Sequence, residues 1–370
     1  MVRAEAAYAA FRLGPGVVNL HGEAPRVRRA LARAWTPEHA AVPDEDVVLD
    51  VTILERPGPP PEAERQGDAG DGVATASDGS RLWWRGSGGW SAIAAGDRPV
   101  SLVLDGREPA WRLLGPARSA ARRSLPAIGA VAVHGSLVAA EGSGILVSGW
   151  SESGKTEVAL ALALALGGGL ASDKWVVVRD GGAWAVPGAA GIRGWVVPYL
   201  AGGLSEMSGI QRARLRSEGI TRRASRALAR ARAIHPIADT LGAPFGALMP
   251  QVPVVRRAPG ALLAGVPRTP GTGSLPLRAG VLLLGGEGPA SSQPLTRDEI
   301  VRRMAVTTQH EEDLALGLGS RARYGGVPWF SEDGGSDRLR DALVGVPLHA
   351  IRLPFPADPR PAAELIASLL

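Results

Sequence analysis

The chain has 370 residues, a formal net charge of +5 and no cysteine. The missing cysteines exclude disulfides and thiolate chemistry and agree with a reducing compartment, while the positive balance favours anionic partners: nucleotides, acidic peptides or nucleic acid. The length suffices for two domains of ordinary size, and the 45% hydrophobic fraction supplies a core, much of it alanine that buries little area per residue.

Met1-Val2-Arg3-Ala4-Glu5 is not followed by a long apolar core, so no signal peptide is expected and a cytoplasmic location is. The first hundred or so residues read as a small α/β unit. Ala9–Leu13 opens a strand, Arg26–Ala34 reads as a short basic helix, and Asp46–Ile53 reads as a strand. Pro57–Asp71 is rich in proline, glycine and charge and reads as a loop. Arg81–Arg85 and Trp90–Ile93 form a hairpin around Gly86-Ser87-Gly88-Gly89, and Val100–Leu104 is a third strand. Pro109–Ile128 is a helical connection to the strand Val131–Gly135.

The next segment carries the chemistry. Gly149-Trp150-Ser151-Glu152-Ser153-Gly154-Lys155-Thr156 fits G-x-x-x-x-G-K-[ST], a loop whose backbone N–H groups face nucleotide phosphates. In such a loop the lysine reaches the outer phosphates and the hydroxyl binds Mg²⁺. The flanks suit it: Gly144–Ser148 is a short β-branched apolar run, and Thr156–Leu166 contains strong helix formers, stopped by Gly167-Gly168-Gly169. Strand, loop and helix together aim a helix N-terminus at a phosphate. Of the 41 basic residues only two are lysines, Lys155 and Lys174, nineteen positions apart. The uninterrupted apolar part of the helix, Val158–Leu166, is far shorter than the roughly 20 residues of a membrane span, so it reads as a helix packed on all sides.

Downstream, Lys174–Val178 is a strand that pairs with Trp184–Val186 across Gly181-Gly182. Residues 211–233 are arginine-rich. They read as a solvated face, as a lid or acceptor-binding element, or as a nucleic-acid surface, the last disfavoured because stacking aromatics are absent there. Val281–Leu284 is a core strand, Thr296–Met304 a helix with a capping-box-like start, Leu348–Leu353 a strand and Pro361–Leu370 a final helix.

The stretch from Val131 to Val178 resembles the HPr kinase/phosphorylase family and its kinase relatives, whose P-loop core is shared with phosphoenolpyruvate carboxykinases. The resemblance is carried by Val133-His134-Gly135-Ser136-Leu137-Val138, Gly142–Gly149, Ser153-Gly154-Lys155-Thr156-Glu157 and Ala171-Ser172-Asp173-Lys174-Trp175-Val176, and more loosely by Val346–Leu353. It implies an α/β fold: a smaller N-terminal α/β lobe over 1–120, suited to acceptor recognition, and a P-loop nucleotide-binding kinase domain over 121–370. It implies ATP and Mg²⁺ as cofactors and a hydroxyl-bearing protein, peptide or small molecule as acceptor; a homo-oligomer is compatible with it. Residues Gly149, Ser151, Glu152, Ser153, Gly154, Lys155, Thr156 and Glu157 would hold the nucleotide, with Thr156 and Asp173 on the metal. Lys155 would neutralise the outer phosphates, Asp173 would take the acceptor's proton, and His134 would lie near the phosphates.

Each assignment has a plainer counterpart. Asp173 also suits a turn before a strand, His134 a satisfied buried histidine, and Glu157 the favourable end of a helix dipole. The chain departs from the family as well. Its Asp-Asp pair is Asp173-Lys174 here, or Ser172-Asp173, so one carboxylate is lost. The family's Glu-Ile-Arg-Gly becomes Gly191-Ile192-Arg193-Gly194, and the loop is bulkier and more acidic than usual at Trp150 and Glu152. The sequence is therefore compatible with a kinase, with a nucleotide-binding regulator without turnover, and with a basic nucleic-acid-associated NTPase.

Overall fold

The computed structural model describes residues 9–22, 24–26, 47–54, 65–66, 73–76, 81–85, 90–94, 100–107, 110–150, 153–186, 190–192, 209, 255–257, 273–316, 334–353 and 358–370. Most of the Arg26–Ala34 helix and of the Pro57–Asp71 loop, and all of the arginine-rich segment 211–233, lie outside the described residues.

The described residues form a mixed α/β structure with two large sheets. The first contains β1 (Ala9–Leu13), β2 (Gly16–Gly22), β3 (Val47–Leu54), β4 (Arg65–Gln66), β5 (Val73–Ala76), β6 (Arg81–Arg85), β7 (Trp90–Ala94) and β8 (Val100–Asp105), in the order β1-β2-β3-β8-β7-β6-β5-β4. The β6–β7 pairing sets Arg85 opposite Trp90, as expected of a hairpin around the glycine-rich turn. Helix α1 (Ala110–Ser124) and a following 3₁₀ turn, Leu125–Ile128, lead to the second sheet. Leu113, Ala117, Ala120 and Ala121 of α1 pack against Leu49, Val51 and Ile53 of β3 and Leu102 and Leu104 of β8.

The second sheet is built from β9 (Val131–Ala140), β10 (Ser143–Gly149), β11 (Gly169–Ser172), β12 (Trp175–Arg179), β13 (Gly182–Ala185), β16 (Leu275–Gly285), β17 (Ser291–Gln293) and β18 (Leu348–Leu353). A small pair, β14 (Ala190–Ile192) and β15 (Val255–Arg257), stands apart from it. Among the described residues, four helices accompany the sheet: α2 (Lys155–Ala165), α3 (Arg297–Leu316), α4 (Gly334–Ala342) and α5 (Arg360–Leu369). Successive side chains on a strand point to opposite faces, and β10 follows this rule. Ile145 and Val147 join the cluster of α2 and α5, whereas Leu146 joins that of α3 and α4. The sheet is thus covered on both faces, which suits the near-continuous apolar runs of β10 and β16. Val158 to Ala163 of α2 are all buried, but Leu164 and Ala165 in its last turn are exposed, so the expected packing on all sides stops short of the Val158–Leu166 run.

No helix among the described residues is long and apolar enough to cross a membrane. The strand β9 and the helix α3 are longer than the sequence suggests. The extension of α3 includes Thr307 and Thr308, both buried polar residues that interrupt the apolar pattern from which a length is read. Strand β12 starts at Trp175 because Lys174 sits at φ 75. At the start of α3, the Glu299 N–H donates to Thr296 Oγ1 at 3.2 Å, but the Glu299 carboxylate turns to Arg302 and Arg303 rather than closing the box.

The two sheets share a core. Leu13, Val18 and Leu20 cluster with Ala130, Ala132 and Val177. Gly14, at φ +63 between β1 and β2, lies so near β12 that a Cβ there would stand 2.6 Å from a methyl carbon of Val177. Gly14→Ala is expected to destabilise the chain by about 1–3 kcal/mol, through overpacking and the left-handed backbone together. Urea unfolding measures it, and an unchanged midpoint would show that β1 and β2 do not press on β12 at this point.

Candidate functional site

The strand β10 runs into the candidate phosphate loop and α2 leaves it. Gly149, the last residue of β10, has φ +153, and a Cβ there would lie 2.7 Å from Ser153 Oγ and 2.9 Å from the Leu283 carbonyl oxygen, so the turn has no room for a side chain. The Ser153 N–H donates to the Trp150 carbonyl at 3.1 Å, and Gly154 caps the N-terminus of α2. Ser151 and Glu152 lie outside the described residues. The Ser153 side chain is buried, and its Oγ has no hydrogen-bond partner among the described residues.

Lys155 is buried and folds back over its own loop. Its Nζ donates to the carbonyl oxygens of Gly149 at 2.9 Å and Trp150 at 2.6 Å. Burial pulls its pKa down to about 8. Glu311, Asp173 and Glu157 act against that shift, in that order, and Lys174 adds to it. An ammonium in this setting is a preplaced positive charge with little water around it, where Coulombic attraction to a phosphate is strong.

Thr156 Oγ1 donates to Asp173 Oδ1 at 2.9 Å, and Ser136 Oγ donates to the same oxygen at 2.8 Å. The geometry of β11 and β12 explains why Asp173 reaches them. Both strands run antiparallel to β9, with Ser172 opposite Leu137 and Trp175 opposite His134. The break between them places Asp173 and Lys174 at a turn, tied to β9 by the Gly135 N–H donating to the Lys174 carbonyl at 2.9 Å. Asp173 is buried whereas Lys174 is exposed. Ser172, the other alignment for the acidic pair, is engaged by the backbone instead, its Oγ bonding the Trp175 carbonyl at 2.7 Å and the Val186 main chain. Glu157 is buried in the first turn of α2.

His134 lies behind this group. Its backbone N–H donates to Thr308 Oγ1 at 3.0 Å, and its carbonyl accepts from Ser148 Oγ at 2.8 Å. Its ring is 5.5 Å from the Trp175 ring, over which the Arg122 guanidinium sits at 4.0 Å. Burial, followed by the charges of Lys155, Lys174, Arg122 and His310, holds the His134 pKa down to about 2. The imidazole is therefore neutral at physiological pH, and the 3.8 Å approach of its Nε2 to Glu311 Oε2 is not an ion pair. The Nδ1 atom is buried without a partner among the described residues.

The structure thus brings together Lys155, Thr156, Asp173 and His134 from three separate stretches. It adds Ser136, Arg122, Trp175 and Glu311, which sequence reasoning passed over as site residues. Ser136 had a usable signal, because residues two apart on a strand share a face and His134 was already singled out. Glu311 had none, lying far downstream in a helix whose length was underestimated.

Thr156 and Asp173 fit a magnesium ion. Mg²⁺ takes oxygen ligands in an octahedron at about 2.1 Å, which sets neighbouring ligands about 3 Å apart, and it typically uses one or two protein oxygens together with phosphates and water. Thr156 Oγ1 and Asp173 Oδ1 lie 2.9 Å apart. Among the described residues no group of three or more histidine, aspartate or glutamate side chains converges on a metal position. Compared with models of known protein families and with curated proteins, the chain has no match.

The buried neutral histidine makes a pH prediction. His134 takes a proton near 6.5 when unfolded and only near 2 when folded. Between these values the unfolded chain binds the extra proton, so stability present above pH 6.5 is lost as the pH falls, by up to about 1.4 kcal/mol per pH unit. His134→Gln is expected to remove this slope. Urea unfolding of both proteins at pH 7, 6 and 5 checks it, and parallel pH dependences would mean that His134 titrates normally.

Proposed function

We propose that the chain is an ATP-dependent kinase of the HPr kinase-like type, with a P-loop kinase domain related to phosphoenolpyruvate carboxykinases, that transfers the γ-phosphoryl group to a hydroxyl. The acceptor is a serine of a protein or biosynthetic peptide, or a small alcohol. One observation carries the reading. A glycine-framed loop between a buried strand and a helix N-terminus holds a buried lysine against its own carbonyls, and the next hydroxyl touches a buried aspartate. That arrangement suits phosphates, which would draw the Lys155 ammonium from the Gly149 and Trp150 oxygens toward themselves.

When bound, Mg²⁺ would neutralise charge developing on the leaving group. Thr156 and Asp173 would hold it. Both protein hydrogen bonds to Asp173 converge on Oδ1, which leaves Oδ2 to take the acceptor's proton. As that O–H proton passes to the carboxylate, the acceptor oxygen bonds to the γ-phosphorus and the bond from that phosphorus to the bridging oxygen breaks, releasing ADP. Ser136 orients the carboxylate. Neutral His134 adds no repulsion or attraction of its own, and its burial keeps water from the rear of the site.

A second reading, a nucleotide-binding regulator without turnover, is favoured by one feature. The place of the family's second acid is taken by Lys174, exposed and in left-handed backbone.

Lys155→Ala is expected to fold and to weaken Mg-ATP binding by at least about tenfold, because the phosphates lose their one preplaced ammonium. Calorimetric titration measures it, and equal affinity would remove the loop from the account. Asp173→Asn is expected to keep Mg-ATP binding within a few-fold while lowering phosphoryl transfer by about 10²–10⁴-fold. Binding without transfer in the unaltered chain, with every hydroxyl acceptor tried, would favour the regulator.

A further inference from the structure

We infer that Trp150 and His310 form the acceptor-facing wall of the candidate phosphate-loop site, and that the acceptor carries an apolar or aromatic group beside its hydroxyl; the inference rests on the kinase reading above. Trp150 is 48% exposed, and among the described residues it belongs to none of the buried apolar clusters. Its ring meets the His310 ring of α3 at 5.3 Å, edge-on. His310 is exposed as well. Aromatic pairs attract one another in this arrangement, so two rings from separate elements hold an open corner while burying little of themselves. Val306, four residues before His310 and so on the same side of α3, is also exposed. Single exposed apolar side chains are ordinary on a protein surface. Here an indole, an imidazole and an isopropyl group follow one another beside the loop.

The main chain of Trp150 fixes which part of a nucleotide this corner would border. Its carbonyl oxygen accepts from Lys155 Nζ at 2.6 Å. In a phosphate loop that ammonium serves the outer phosphates, so Trp150 stands at the γ-phosphoryl end, and the base would lie beyond the opposite end of the triphosphate. A hydroxyl attacking in line has to approach from the γ end. The group attached to that hydroxyl therefore arrives beside Trp150. Helix α3 holds the wall firmly here. Thr308 Oγ1, two residues before His310, accepts the His134 N–H at 3.0 Å, and Ile300, Val301 and Met304 are buried beneath the earlier turns. A ring held in this way costs little conformational entropy when it is used in binding. It favours a flat apolar partner over a hydrated one, so the corner selects the neighbour of the accepting hydroxyl and not the nucleotide.

N-acetylserine benzylamide and N-acetylserine methylamide share the hydroxyl and differ by a phenyl ring, so the pair isolates the proposed contact. Both are titrated into the full chain with isotope-labelled tryptophans, in the presence of Mg²⁺ and a non-hydrolysable ATP analogue. The indole NMR signal missing from Trp150→Phe identifies Trp150, and affinities are read from the probes' own proton signals. The benzylamide is expected to move the Trp150 signal saturably and to bind at least about fivefold more tightly than the methylamide. Trp150→Ala and His310→Ala are each expected to bring the two affinities within about twofold of one another, whereas Trp150→Phe keeps the preference. A Trp150 signal that neither probe moves, equal affinities in the unaltered chain, or a preference that survives Trp150→Ala would overturn the inference. So would a Trp150→Ala chain that binds the analogue more weakly yet keeps the preference, because the ring would then only prop the loop. If the unaltered chain does not bind the analogue but the benzylamide still moves the Trp150 signal, the aromatic corner stands as a ligand site and the kinase reading falls.

Discussion

The site depends on one oxygen. Asp173 Oδ1 accepts from Thr156 in the first turn of α2 and from Ser136 on β9, at 2.9 and 2.8 Å. These two bonds join the helix that leaves the phosphate loop to the strand beside it, and they fix the turn between β11 and β12. Asp173 also favours the charged form of the neighbouring Lys155. Without this junction, the first turn of α2 would lose its tie to β9 and to the turn after β11.

The junction exists because the second sheet is covered on both faces. Strands β9 and β10 have apolar residues toward α2 and α5 on one side and toward α3 and α4 on the other. That packing leaves little freedom where Gly149 ends β10, Asp173 follows β11 and His134 sits within β9. The polar residues concentrated there are individually expensive to bury. Most are satisfied by one another; among the described residues Ser153 Oγ, His134 Nδ1 and Glu311 Oε1 are not.

Much of this was legible in the sequence, for physical reasons. Regular elements with strong periodicity were readable: the hairpin of β6 and β7, the buried run of β10, the alanine–leucine helix α2 and the closing strand and helix. The loop was readable because its glycines, lysine and threonine are contiguous. Asp173 and His134 were readable through the order and spacing that resemble a known family. Strand β2 was missed because buried Asn19 and half-buried His21 interrupt its apolar pattern. Helix α4 was missed because it opens on two glycines, which sequence reasoning takes for a loop. Glu311 and Arg122 were illegible as site residues because nothing local marks them. Their places are set by how α3 and α1 dock on the sheet, a tertiary fact with no signature in the residues nearby.

Amide hydrogen exchange across the loop, with and without a non-hydrolysable Mg-ATP analogue, tests the central claim most directly. If the loop cradles phosphates with its backbone N–H groups, exchange at residues 153–157 should slow strongly on addition of the analogue, and the segment around Asp173 should slow with it. Binding of the analogue with no change in exchange at 153–157 would place the nucleotide elsewhere and contradict the account.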